Sequence, residues 1–395
     1  MNNNNRPVLW TKDFILVFIA NLLLFFAFYM LIPVLPQYLL DKMETSGSVA
    51  GIVLALYTIS ALCIRPFSGF LVDMFSRKPL YIICYGLFCF IFAGYVVAGT
   101  LVLFILMRVL HGLAFGMSTV SGSTVAVDIM TSERRGEGIG YYGMASSIAM
   151  ATGPVFGLWI HGHYSYDALF LTAFLSSFIG LLCILLIKPI KKIKVEAEMK
   201  QPISLDRFVL VKALPCVALL FLTGVGYGAV LNYVGLFSDV VDYKADAGVF
   251  FIILSIGIFL TRILSSKLIN TGKIVMLTKL GSVFLLVAFL LFALCSNSVM
   301  YYLTAFLLGI GYGYINPVFQ TMFINLAEHN QRGTANATYF TFWDMGIGVG
   351  TVIGGVVIEK LNFGWLYGIS SVLILLGIIY FSTISAAYYQ KNKLR

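Results

Sequence analysis

One acid stands far from any polar flank, in Phe342-Trp343-Asp344-Met345-Gly346, about ten residues into an apolar run. Charge placed near the centre of a bilayer costs roughly 2.5 to 3.5 kcal/mol on insertion scales, so Asp344 points to a function. A carboxylate there can carry a proton or bind a cation. Asp13, Asp73, Asp128 and Glu137 fall near the ends of apolar runs instead. Arg108, in Arg108-Val-Leu-His111-Gly112, is the embedded cation. It needs an aqueous cavity, a carboxylate, or a path along which its head reaches the interface. His111 follows one turn later on the same face, where it either titrates near neutrality or donates a structural hydrogen bond. A permanent Arg108–Asp344 ion pair is the structural alternative to proton carriage. A third constellation, Gly69-Phe-Leu-Val-Asp73-Met-Phe-Ser-Arg77-Lys78, sets a carboxylate between a glycine and two cations. That acid can hold neighbouring helix ends through charge-assisted hydrogen bonds or cap a helix N-terminus.

The elements that position these groups follow from composition. Of 395 residues 60% are apolar and 11% charged, against about 25% charged in an ordinary soluble domain, which excludes a soluble enzyme. Apolar runs long enough to span a bilayer lie near 14–38, 48–72, 80–99, 101–126, 138–161, 167–188, 209–236, 247–269, 274–295, 299–325, 335–358 and 363–388. They are continuous and about twice the length of a barrel strand, so the expected fold is an all-α membrane protein with twelve spans. The first run is too long for a cleaved signal and reads as a retained span.

The net charge of +9 is spread in short clusters between spans, not over an aromatic-laced basic face, which argues against nucleic acid. It sets orientation instead. Of 26 Lys and Arg, only Lys42, Lys244 and Lys360 fall in the outer loops and Arg108 lies within a span, so 22 lie on or near the side shared by both termini. That side is expected to be cytoplasmic. The basic stretch over 189–207 reads as a linker on anionic lipid between an N-terminal half, 1–188, and a C-terminal half, 208–395. An offset of 197 residues superimposes Arg65 on Arg262, Asp73 on Asn270, Gly112 on Gly309, Arg135-Gly136 on Arg332-Gly333, Gly153 on Gly350 and Gly157 on Gly354. Two parallel six-helix repeats are the architecture of secondary transporters, with substrate bound near the midplane.

Three motifs now carry a resemblance. The loop at Gly69, Asp73, Arg77 and Lys78 resembles the signature loop of the major facilitator superfamily, with Ser76 in place of its usual glycine. Arg108-x-x-x-Gly112 in the fourth span is similar to a second motif, found in proton-coupled members. Ala149-x-x-x-Gly153-Pro154-x-x-Gly157 in the fifth resembles the pattern of the exporters, with Ala149 and Leu158 replacing its outer glycines. The resemblance implies the major facilitator fold, a gating role for Gly69, Asp73, Arg77 and Lys78, and proton coupling at Asp344, Arg108 and His111. It also implies a drug/proton antiporter of a bacterial inner membrane, acting as a monomer on small amphipathic molecules and protons. The alternatives are an importer or facilitator for a sugar or small metabolite, and a non-transporting receptor. Polar and aromatic residues on the spans that line the superfamily's cavity, with those on the second and eleventh, complete the expected site. They are Asn21, Tyr29 and Gln37 on the first span, Tyr57 on the second, Asn232 and Tyr233 on the seventh, Asn316 and Gln320 on the tenth, and Tyr339 and Trp343 on the eleventh. Six cysteines within apolar runs, without a C-x-x-C pair, give neither a disulfide framework nor a zinc site. No cofactor, metal or ATPase motif is expected.

Overall fold

The computed structural model describes residues 8–45, 47–189, 205–241 and 245–394. Most of the linker expected over 189–207 lies outside the described residues. Among the described residues there is no strand, and twelve helices are long and apolar enough to cross a membrane. In chain order the helices are α1 (Lys12–Leu31), α2 (Leu35–Asp41), α3 (Gly47–Met74), α4 (Arg77–Val97), α5 (Leu101–Ile129), α6 (Arg135–His163) and α7 (Tyr166–Leu185). After the linker come α8 (Val217–Val241), α9 (Ala247–Asn270), α10 (Ile274–Ala293), α11 (Ser298–Leu326), α12 (Arg332–Lys360), α13 (Phe363–Tyr380) and α14 (Ala386–Asn392). All are spans except the short α2 and α14, the latter continuing α13 through a π turn at Phe381–Ser385.

The first expected span is shorter than its apolar run. Its helix stops at Leu31, and the chain turns at residues 32–34 before α2 begins. Pro33 explains the break, because proline lacks an N–H and crowds the carbonyl four residues back. Gln37 therefore sits exposed on α2 and is not part of the first span.

Local sequence sets six of the helix starts. Side-chain oxygens of Thr11, Thr100, Ser165, Asp246, Asn297 and Asn362 each accept the backbone N–H three residues on, at 2.8–3.3 Å. These are N-caps in the residue types that favour the position. The start of α6 has no such local cap.

By their contacts the described residues form two compact units. One comprises Met1–Arg134, Ala145–Phe208 and Asn330–Ala337; the other comprises Arg135–Met144, Val209–His329 and Thr338–Arg395. The first turns of α6 and α12 are thus exchanged relative to a cut in the linker. In the first unit α3 and α4 pack on α5, and α1 and α4 on α7. In the second, α9 and α10 pack on α11, and α8 and α10 on α13.

Candidate functional site

In the first unit, Asp73 lies at the end of α3 and receives the start of α12. Its Oδ1 accepts from the Gly333 N–H at 2.8 Å, and its Oδ2 from the Thr334 N–H at 2.8 Å and the Thr334 hydroxyl at 2.9 Å. Arg77 lies 3.5 Å from the same carboxylate and also pairs with Asp128 at the end of α5. Asp128 in turn accepts from Arg332 at 2.8 Å. One chain of alternating charge, Asp73–Arg77–Asp128–Arg332, therefore holds the α12 start. Gly69 is an interior residue of α3 and not a turn. A methyl added there would stand 2.7 Å from the Ala337 side chain and 2.8 Å from the Thr334 backbone. Lys78, expected beside Asp73, instead donates to the carbonyls of Leu185, at 2.9 Å, and Ile187, where it closes the end of α7.

The second unit repeats this arrangement with an amide, Asn270, in place of the Asp73 carboxylate. Asn270 ends α9, and its Oδ1 accepts from the Glu137 N–H at the start of α6 at 2.9 Å. Its Nδ2 donates to the Glu137 carboxylate at 3.3 Å. Under the 197-residue offset, Asp128 corresponds to Asn325 and Arg77 to Ile274. Sequence spacing does not mark Asp128, Arg332, Glu137 and Asn270 as site residues. The repeat carries the signal, since it aligns Asp73 with Asn270 and Arg135-Gly136 with Arg332-Gly333.

Midway along the first unit, Arg108 and His111 are both buried. The Arg108 guanidinium stacks over the Tyr57 ring, 4.4 Å from its centroid, which is a cation–π contact. His111 Nδ1 and the Tyr95 hydroxyl are 2.8 Å apart, and the imidazole is enclosed by Phe88, Phe92, Tyr95 and Tyr57 with centroids at 4.6–5.5 Å. Asn21 is buried on α1, and Tyr29 is half-buried against Phe25 and Phe28. On α6, a methyl on Gly153 would stand 2.8 Å from the Tyr29 side chain, and one on Gly157 would collide with the Met30 carbonyl. Two small residues four apart thus bring α1 and α6 into backbone contact, with Pro154 inside the helix.

In the second unit, Asp344 is half-buried near the middle of α12. Trp343 beside it is buried against Tyr227 and Tyr312, at 5.3 and 5.9 Å. These two tyrosines join the candidate site from α8 and α11 and were not anticipated. Tyr339 packs on Phe323 and Phe340, and Gln320 is buried on α11. Asn316 keeps its Oδ1 buried without a hydrogen-bond partner among the described residues. Asn232 and Tyr233 bind α12, donating to the Thr351 hydroxyl at 2.8 Å and the Thr351 carbonyl at 2.6 Å. The Tyr233 ring fills the space left by Gly354 and Gly355. The exporter-like glycines have counterparts here, as a methyl on Gly350 would collide with the Val225 carbonyl of α8.

A family model for the Major Facilitator Superfamily matches residues 17–351 and 280–393. The chain belongs to the Major Facilitator Superfamily. Members of this superfamily are transporters of small molecules, not enzymes, and this member is a multi-pass membrane protein. It is 26% identical over 357 residues to the uncharacterised MFS-type transporter YhhS of Escherichia coli K12, covering 88% of this chain and 86% of that one. It is 27% identical over 366 residues to the quinolone resistance protein NorA of Staphylococcus aureus, covering 88% and 90%. Among solved structures, the human organic anion transporter MFSD10 superimposes with a TM-score of 0.78 at 18% identity, covering 95% of this chain and 100% of that one. The proton:xylose symporter XylE superimposes with a TM-score of 0.77 at 14% identity, covering 94% of each. These two likenesses concern the fold.

No group of three or more metal-binding side chains occurs among the described residues. The six cysteines are free thiols.

Proposed function

We propose that this transporter exports small amphipathic molecules in exchange for protons, working by alternating access from the inner membrane of a bacterium with both termini in the cytoplasm. The observation that carries this reading is the α1–α6 contact at Gly153 and Gly157, which gives the exporter-like pattern a physical role. The 27% identity to the quinolone resistance protein NorA supports the same direction. In this reading Asp344 binds proton and substrate in competition. Arg108, fixed on Tyr57, balances charge or holds an anionic group of the substrate, while His111 places Tyr95 and assists proton movement. Trp343, Tyr227 and Tyr312 offer flat apolar surfaces with polar edges, as an amphipathic ligand requires. One proton crossing about 150 mV supplies about 3.5 kcal/mol, enough for a concentration ratio of a few hundred.

The test is dye accumulation in respiring everted vesicles, offered lipophilic cations, zwitterions and neutral compounds. Protonophore-sensitive accumulation by the wild type, lost in Asp344→Asn, is expected. Transport retained in Asp344→Asn would move coupling to Arg108, His111 or Asp73. Absence of accumulation, with uptake of a sugar or small metabolite by intact cells, would overturn export.

A further inference from the structure

We infer that a basic groove at the head of α10 binds the phosphate headgroup of an anionic phospholipid, whose acyl chain lies along the exposed face of the same helix. The groove is a cavity of about 440 Å³ within the second unit, lined by Lys273, Lys279 and Lys393 together with Met276 and Tyr389. Its walls are built. Gly272, at a φ of 77° that suits glycine, closes the end of α9: Gly272 N–H donates to Ile269 at 3.0 Å and Lys273 N–H to Leu268 at 3.3 Å. That turn delivers Lys273 to the start of α10. The opposite wall is α14, tied to the end of α11 by Asn325. The Asn325 amide donates to the Tyr389 hydroxyl at 3.0 Å, and its carbonyl accepts from the Leu394 N–H at 2.9 Å.

The two acids of the first unit have no acidic counterpart near this place. In the first unit, Asp73 and Asp128 neutralise Arg77 and Arg332. The corresponding residues here are Asn270 and Asn325, which carry no charge. Lys273, Lys279 and Lys393 have no carboxylate partner among the described residues. Three exposed ammonium groups around one cavity call for an anion, and a phosphate supplies charge and acceptors together.

A second, independent feature selects a lipid over a free ion. From the groove, Met276, Leu280, Val283, Val287 and Leu290 run down α10 at alternating spacings of four and three, all exposed. That spacing draws one continuous apolar stripe about 21 Å long, at 1.5 Å per residue. One leaflet of hydrocarbon is about 15 Å deep, so an acyl chain beginning at the groove has apolar surface along its whole length. Basic pockets between spans at a membrane face are a recurring form of headgroup site.

The full chain in detergent would be titrated with dioleoylphosphatidylglycerol, dioleoylphosphatidylcholine and inorganic phosphate, and the bound molecules counted by native mass spectrometry. Wild type should retain phosphatidylglycerol in preference to phosphatidylcholine. Lys273→Gln/Lys279→Gln/Lys393→Gln should weaken that binding by roughly 100-fold, or roughly fivefold per lysine. If the triple variant fails to fold, Lys279→Gln and Lys393→Gln singly should each show the fivefold loss. Equal retention of the two lipids, or undiminished phosphatidylglycerol on the variants, would overturn the inference. So would competition by millimolar inorganic phosphate that removes the lipid completely, which would mark a free-anion pocket.

Discussion

Replacing Asp73 by asparagine isolates what the carboxylate does. The wild-type side chain accepts three hydrogen bonds from the α12 start, at 2.8, 2.8 and 2.9 Å, and faces Arg77 at 3.5 Å. Asparagine keeps one acceptor oxygen and turns an NH2 donor toward N–H or O–H groups that also donate. At least one hydrogen bond to a charged group is lost and its donor is left unsatisfied. With a hydrogen bond to a charged group worth about 1.5 to 3 kcal/mol, the stranded donor included, the loss should be about 1.5 to 3 kcal/mol. The docked α12 start would then open roughly 10- to 150-fold more often. Hydrogen–deuterium exchange reads this directly, because Gly333 and Thr334 amides exchange only when the start opens. Trp365, capped locally by Asn362 at 3.1 Å, serves as the internal control and should not change. A folded Asp73→Asn protein in which Gly333 and Thr334 speed up less than threefold would refute the reasoning and leave the α12 start held by Arg332–Asp128 alone.

Two further substitutions test the neutral counterpart and the helix contact. Asn270→Asp sets a second carboxylate beside Glu137, where the amide now donates at 3.3 Å, and should lower the melting temperature at pH 8. Glu137→Gln should restore it, whereas strictly additive effects in the double-mutant cycle would show that the two groups do not interact. Gly157→Val should cost about 1 to 3 kcal/mol by forcing α6 off the Met30 carbonyl, and should abolish transport. Leu158→Val on the exposed face next to it should be near neutral, and equal melting temperatures for the two variants would sink the close-contact account.

Much of this protein was legible along the chain. Apolar run length fixes twelve spans because hydrocarbon leaves no backbone group unpaired, so each crossing must be a helix of about 20 residues. Local rules also placed starts such as Thr100, Asn297 and Asn362, since an N-cap needs only a side chain three residues from its donor. The repeat offset singled out Asp73 and Asn270, and the motifs named the family. Tertiary structure alone decided what those residues hold. Asp73 caps a helix 260 residues away, and Asn270 one 133 residues away, distances over which sequence spacing carries no geometry. The same limit hid Asp128 between two arginines, the aromatic enclosure of His111, and the meeting of Lys273 with Lys393. Each depends on which helix faces are pressed together. Twelve almost uniformly apolar helices do not show that in their own periodicity, because lipid-facing and protein-facing sides are equally hydrophobic.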